Sequence, residues 1–119
     1  MKKILVVDDD VSILRLFDRL GTRHGWKVKV AAPEQDALAA IDTDSFDLAF
    51  LDVDLGGGMD GIALALKFRD CAPDLAIVMM SGDSAHAERA AAAGMGEMLA
   101  KPFEPSRISE LVDSHGARK

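Results

Sequence analysis

A chain of 119 residues, of which 49% are hydrophobic, is long enough for one domain that buries its own core without disulfides or a structural metal. The single cysteine, Cys71, excludes an intramolecular disulfide. No apolar run reaches the length of a membrane span or a secretory signal, so we expect a cytoplasmic chain. A net charge of -6 without a basic stripe argues against direct binding of this chain to nucleic acid or membranes.

Short apolar runs alternate with segments of helical periodicity along the chain. The runs rich in Val, Ile, Leu or Met predict five buried strands, at Lys3–Val7, Lys27–Ala31, Leu48–Leu51, Leu75–Met80 and Met98–Ala100. The segments between and after them predict five helices, at Ser12–Arg23, Glu34–Ile41, Asp60–Asp70, Ser84–Ala93 and Glu104–Val112.

This alternation predicts an α/β fold of the (βα)5 type. Right-handed crossovers between parallel strands give a doubly wound, five-stranded parallel sheet with helices on both faces. We expect residues 1–119 to form one domain, with a frayed polar tail over about 114–119.

Charged residues stand at the ends of three of the predicted strands. Asp8 and Asp9 close the first, Asp52 closes the third and Lys101 closes the fifth. Since the carboxyl ends of parallel strands share one edge of a sheet, these side chains should converge there. Carboxylate oxygens suit Mg2+, which also keeps waters and phosphoryl oxygens in its shell. A carboxylate beside such a cation can accept a phosphoryl group, and we predict Asp52 as the acceptor.

The motifs, taken together and in order, resemble the receiver domain of two-component response regulators. They are Lys3–Asp10, Leu51-Asp52, Met59-Asp60-Gly61, Met80-Ser81-Gly82 and Lys101-Pro102-Phe103. The resemblance covers the whole chain. It implies the strand order 2-1-3-4-5, a flavodoxin-like arrangement, and phosphorylation of Asp52 with Mg2+ held by Asp8, Asp9, Asp52 and the backbone carbonyl of Asp54.

The same resemblance implies roles for other residues and for partners. Lys101 contacts the phosphoryl group, Ser81 moves toward it, and the Lys101–Pro102 peptide is cis. The phosphodonor is a phosphohistidine of a histidine kinase or phosphotransfer protein. The phosphorylated form changes conformation to control a downstream protein or output domain, with a phosphorylation-dependent dimer as one form of output. Such a chain is a phosphoacceptor that loses its phosphoryl group by autodephosphorylation, not a turnover enzyme.

Three features depart from the usual receiver pattern. The loop after Asp52 contains Gly56–Gly58 in place of a proline, which predicts mobility, and Asp54 adds a negative charge that tunes phosphate loss or is only an exposed loop acid. Met98 replaces the aromatic residue that switches in most receivers, so output can use the loop after Ser81 or a surface around Met95 and Met98.

Several residues have a simpler structural interpretation. Asp10 is predicted to cap the first helix, and the histidines (His24, His86 and His115) to be solvated surface residues. Leu14 is either a docking contact for the kinase or a minor core residue.

The start at Met1, just before the first strand, favours a stand-alone receiver over a fragment of a longer protein.

Two other functions remain as alternatives. Asp52-Val53-Asp54 resembles the DxD pair of haloacid dehalogenase-like phosphatases, although motif order argues against that class. The other alternative is a receiver-like interaction module that never takes phosphate.

Overall fold

The apolar runs form the strands of one parallel sheet in the computed structural model of this chain. The structure describes residues 2–31, 34–53, 60–83, 85–94, 98–101 and 104–116. The strands are β1 (Lys3–Val7), β2 (Lys27–Ala31), β3 (Leu48–Asp52), β4 (Ala76–Ser81) and β5 (Met98–Ala100). The helices are α1 (Val11–His24), α2 (Glu34–Thr43), α3 (Gly61–Cys71), α4 (Ala85–Ala92) and α5 (Pro105–Gly116).

The sheet has the order β2-β1-β3-β4-β5, and every neighbouring pair is parallel. This confirms the predicted doubly wound (βα)5 fold. Each crossover helix returns the chain to the amino edge of the sheet, so the carboxyl ends of all five strands face the same way. The residues that end the strands are therefore gathered at one edge.

Successive side chains of each strand point to opposite faces of the sheet and pack into two separate hydrophobic layers. On one face, Ile4 packs in a layer with Phe17 of α1 and Ile108 of α5. On the other face, Leu5 packs in a layer that includes Phe68 of α3 and residues of α2 and α4. Because both faces are covered, the strands are buried throughout the middle of the sheet, and polar side chains concentrate at the strand ends.

Among the element boundaries that differ from those predicted, three concern site residues and the tail. β3 extends to Asp52 and β4 to Ser81, because the parallel ladder continues past the apolar runs: Asp52 pairs with Met80, and Ser81 pairs with Ala100. α5 continues to Gly116, beyond the predicted start of the tail at Ser114. Two predicted site residues are thus the last residues of strands, with their backbones fixed by the sheet.

Local capping explains where α1 begins and ends. The Asp10 carboxylate accepts a hydrogen bond of 2.9 Å from the backbone N–H of Ser12, which confirms the predicted capping role. Gly25 ends the helix with a φ of 77°, in the left-handed region that glycine enters at no steric cost. Among the residues whose structure is described, no helix has the length and apolar character needed to cross a membrane.

Candidate phosphoryl-transfer site

Three carboxylates meet at the carboxyl edge of the sheet. Asp8 and Asp9 follow β1, Asp52 ends the neighbouring β3, and one oxygen of each lies within 4.8 Å of the others. The Asp8 side chain is fully buried and Asp52 is 6% exposed, whereas Asp9 is open to solvent. The arrangement offers several oxygen ligands on one side and access on the other, which suits a partly hydrated Mg2+.

Lys101 provides the counter-charge to the two buried carboxylates. Its Nζ donates hydrogen bonds of 3.0 Å to Asp8 and 3.1 Å to Asp52. The residue follows β5, and its backbone N–H donates to the carbonyl of Ser81 at 2.8 Å. The backbone of Lys101 is thus held by the sheet, and its ammonium is held by the two carboxylates.

Burial and charge set the protonation behaviour of this cluster. Burial raises the pKa of the Asp8 carboxyl above its ordinary value; the hydrogen bonds from Asp10 and Lys101 act in the opposite direction, and the negative charge of Asp52 adds to the rise. For Lys101, burial alone would lower the pKa, but the hydrogen bonds to Asp8 and Asp52 outweigh it and raise the pKa. One lysine therefore faces more negative charge than it neutralises, which favours binding of a further cation.

Gly61 fixes the backbone beneath Asp52. The N–H of Gly61 donates to the carbonyl of Val53 at 2.8 Å, and the N–H of Val53 donates to Met80 at 2.9 Å. A Cβ on Gly61 would lie 1.9 Å from the carbonyl oxygen of Asp52, so only glycine allows this approach. The sequence contained Gly61 in a motif, but its steric role depends on the contact between α3 and β3.

Ser81 lies at the end of β4 and is 5% exposed. In the part of the chain with described structure, its hydroxyl bonds to Asp83 and His86 and not to Asp52 or Lys101. The Oγ atom is 2.6 Å from Nδ1 of His86. The structure therefore places Ser81 on the same edge as the acids while directing its hydrogen bonds toward α4.

The prediction of solvated surface histidines holds for His24, which is exposed, and is wrong for His86. His86 is half-buried and contacts Ser81. His24 stacks on Trp26 with ring centroids 4.8 Å apart, and its Nε2 lies 3.2 Å from Oγ of Ser109. The contact of His86 was not predicted because His86 lies five residues after Ser81 in the sequence. The turn into α4 brings the two side chains together. The side chain of His115 lies outside the described residues.

Other predictions have mixed outcomes. The carbonyl of Asp54, the Gly56–Gly58 loop, Met95 and the Lys101–Pro102 peptide all involve residues outside those described. Met98 is partly buried and packs against the layer formed by α2, α3 and α4. Leu14 is also partly buried: it packs against the opposite layer and leaves part of its side chain exposed, which is compatible with both predicted roles.

Comparisons with known proteins agree with this geometry. The family model for the response regulator receiver domain matches residues 4–113. The transcriptional regulatory protein ZraR of Salmonella typhimurium is 36% identical over 112 residues, which cover 92% of this chain and 25% of ZraR. The chain thus spans about a quarter of that relative's length.

Solved structures extend the similarity to three dimensions. A CheY-like receiver domain protein from Methanospirillum hungatei superposes with a TM-score of 0.86 at 29% identity, covering 96% of this chain and 92% of the other. The response regulator TrrA from Thermotoga maritima, in complex with Mg(2+)-BeF, gives a TM-score of 0.84 at 26% identity, covering 96% and 98%.

Proposed function

Because the chain belongs to the response regulator receiver domain family, in which phosphorylation and magnesium binding are typical, we propose that Asp52 is its phosphoryl acceptor. The observation that carries this proposal is the joint contact of Lys101 with Asp8 and Asp52 at the carboxyl edge of the sheet. The donor is a phosphohistidine of a histidine kinase or a histidine phosphotransfer protein.

The donor set fits a resident Mg2+. Asp8, Asp9 and Asp52 present carboxylate oxygens from two neighbouring strands, and burial, with the charge of Asp52, raises the pKa of Asp8. We assign these three residues to the metal, together with the backbone carbonyl of Asp54. When bound, the ion screens the phosphoryl oxygens from the carboxylates and orients them for transfer.

Asp52 and Lys101 have different roles in phosphoryl transfer. A carboxylate oxygen of Asp52 forms a bond to phosphorus as the phosphorus–nitrogen bond of the donor breaks, and the electron pair leaves with the imidazole nitrogen. Lys101 stabilises negative charge on the phosphoryl oxygens, since its ammonium is already held beside Asp52. Attack of water on the phosphorus later releases inorganic phosphate and restores the carboxylate. The chain acts as a phosphoacceptor switch and not as a turnover enzyme.

Phosphorylation alters the surface that partners recognise. Receiver domains of response regulators interact with kinases and with output domains, and we propose both kinds of partner for this chain. Ser81 donates its hydroxyl to the phosphoryl group and carries the loop after β4 with it. Met98, beside β4 in the sheet, repacks in response, and the altered face contacts a downstream protein, an output domain or a second copy.

The acceptor is tested by intact-mass spectrometry after incubation with acetyl phosphate and Mg2+. We expect one phosphoryl adduct on the wild type and none on Asp52→Asn or after chelation. Asp44→Asn is the matched control because Asp44 also pairs with a lysine, at the opposite edge of the sheet. If the wild type gives no adduct, a beryllofluoride titration separates rapid hydrolysis from failure to bind. Failure of both would favour the phosphate-independent module.

Docking of the kinase is proposed at the start of α1. Val11 is 57% exposed and directly follows Asp10, close to the acidic site, while Leu14 lies one turn further along. We expect Val11→Asp and Leu14→Asp to slow phosphoryl transfer from a kinase about tenfold while leaving phosphorylation by acetyl phosphate unchanged.

Leu66→Asp is the control for these variants, since Leu66 is a 41% exposed apolar residue on α3. Initial rates with the two donors are compared for each variant. Equal loss with both donors would show that the substitutions damage the site and not the docking surface.

A further inference from the structure

The hydroxyl of Ser81 is engaged by residues at the start of α4. Its Oγ accepts a hydrogen bond of 3.0 Å from the N–H of Asp83. Two atoms lie within reach of its single proton: Nδ1 of His86 at 2.6 Å and the carbonyl oxygen of Asp83 at 3.2 Å. That carbonyl already accepts from the N–H of His86 at 3.1 Å. A bond from this hydroxyl to Nδ1 requires the ring proton on Nε2, whereas a ring with its proton on Nδ1 would donate to Oγ and leave the serine proton on the carbonyl of Asp83.

The half-buried His86 lies in the first turn of α4, so this contact joins the phosphoryl-transfer edge to a helix. The turn itself is held by Asp83, whose carboxylate accepts a hydrogen bond of 2.9 Å from the N–H of Ala85. Formation of α4 thus does not depend on the imidazole.

A serine hydroxyl donates one hydrogen bond. Under the proposed function Ser81 must donate to a phosphoryl oxygen on Asp52, so a bond in which its hydroxyl donates toward α4 has to break first. We propose that His86 is a positioning residue: in the unphosphorylated form its Nδ1 accepts the proton of Ser81 and holds the hydroxyl toward α4, so that phosphorylation must break this bond. The bond then opposes the active form and links the site to α4.

This inference rests on the proposed function of Asp52, and it predicts a gain when the imidazole is removed. Beryllofluoride with Mg2+ serves as the probe, with its affinity measured by titration calorimetry. His86→Ala should bind it about 2- to 10-fold more tightly, the change expected from the loss of one hydrogen bond that opposes binding. His86→Asn, whose side-chain amide can occupy the position of Nδ1, should restore the affinity of the wild type.

His24→Ala is the matched control. Its Nε2 also contacts a serine hydroxyl, that of Ser109, between α1 and α5. Its affinity for beryllofluoride should equal that of the wild type. Since alanine favours helix, His86→Ala should retain the fold, and its circular dichroism spectrum checks this.

The ring nitrogens supply a second readout. In 15N-histidine spectra of the full chain, Nδ1 of His86 should be unprotonated without the probe and should shift when beryllofluoride is added, while His24 stays unchanged. A protonated Nδ1 in the resting form would overturn the role of His86. Equal affinities of wild type and His86→Ala for beryllofluoride would do the same, provided that both proteins form the acetyl phosphate adduct. Neither outcome would affect the proposed function of Asp52. A wild type that neither forms the adduct nor binds beryllofluoride would overturn the proposed function and this inference with it.

Discussion

The two edges of the sheet carry the same kind of ion pair with opposite consequences. At the carboxyl edge, Lys101 contacts Asp8 and Asp52, which are almost completely buried. At the amino edge, Lys3 contacts Asp44, whose side chain is 45% exposed. Burial raises the pKa of Asp8, whereas the hydrogen bonds from Lys3 and from the N–H of Ser45 lower the pKa of Asp44.

The difference shows how burial changes the behaviour of an ion pair. Water solvates the exposed pair, which gains little from its contact. In the buried cluster the carboxylates have lost water and share one lysine, so the cluster favours any additional positive charge, whether a proton or a metal ion. Burial, together with the second carboxylate that shares Lys101, separates the two edges.

Substitution of the lysine at each edge tests this contrast, and it is expected to give the largest effect of the variants proposed. Lys101→Met should slow phosphorylation by acetyl phosphate about 100-fold, because the charge that stabilises the phosphoryl oxygens is lost. Lys3→Met should leave the rate unchanged, since its ammonium lies at the other edge. Rates are followed by intact mass at saturating Mg2+. Similar rates for the two variants would contradict the assigned role of Lys101.

A second comparison tests how tightly the carboxyl edge is packed. Gly61→Ala should destabilise the fold by about 2 kcal/mol, because the new methyl group would overlap the carbonyl of Asp52. Gly82→Ala is its control: among the described residues a Cβ there would meet Lys101 alone, at 3.9 Å, and should change stability by less than about 0.5 kcal/mol. Urea unfolding measures both. Equal stability of the two variants would mean that α3 can withdraw from β3 without cost.

The smallest effect is the pH dependence of stability. Since the folded-state pKa of Asp8 is raised, its contribution to stability is present at acidic pH and is lost as the pH rises through that pKa. Asp44 behaves oppositely: its pKa is lowered, so its contribution is present at neutral pH and is lost as the pH falls through the lowered value.

Substitution of each carboxylate by an amide should reveal the two signs. Without divalent cations, Asp8→Asn should be more stable than the wild type at pH 7, and the difference should shrink toward acidic pH. Asp44→Asn should be slightly less stable than the wild type at pH 7, and that difference should also shrink in acid. Urea midpoints between pH 3 and pH 7 measure both. Differences of the same sign would contradict the account of the two edges.

The fold was predictable because the local signals agree with one another. Each strand is a short apolar run, each helix has an apolar stripe, and the bounds of β1, β2 and β5 match the predicted ones. The ends of β3 and β4 were missed by one residue because Asp52 and Ser81 are polar yet still pair through their backbones. Backbone pairing does not depend on side-chain polarity, so apolar runs underestimate it.

The site was predictable only in part, for a related reason. The sequence identifies Asp8, Asp52 and Lys101 as site residues because charged side chains are unexpected at the ends of buried strands. The roles of Gly61 and His86 arise from contacts between elements that are adjacent only after folding. A histidine three residues after Asp83, at the beginning of a helix that follows Ser81, was the available signal, and it is too common to be specific.

The most direct test of the central claim is to locate the phosphoryl group on the wild-type chain. Treatment with acetyl phosphate and Mg2+, reduction with borohydride and tandem mass spectrometry of the peptides should find homoserine at position 52, since reduction of an aspartyl phosphate gives that residue. Homoserine at Asp8, Asp9 or Asp54 in place of Asp52 would contradict the assignment of the acceptor and the division of roles at the carboxyl edge.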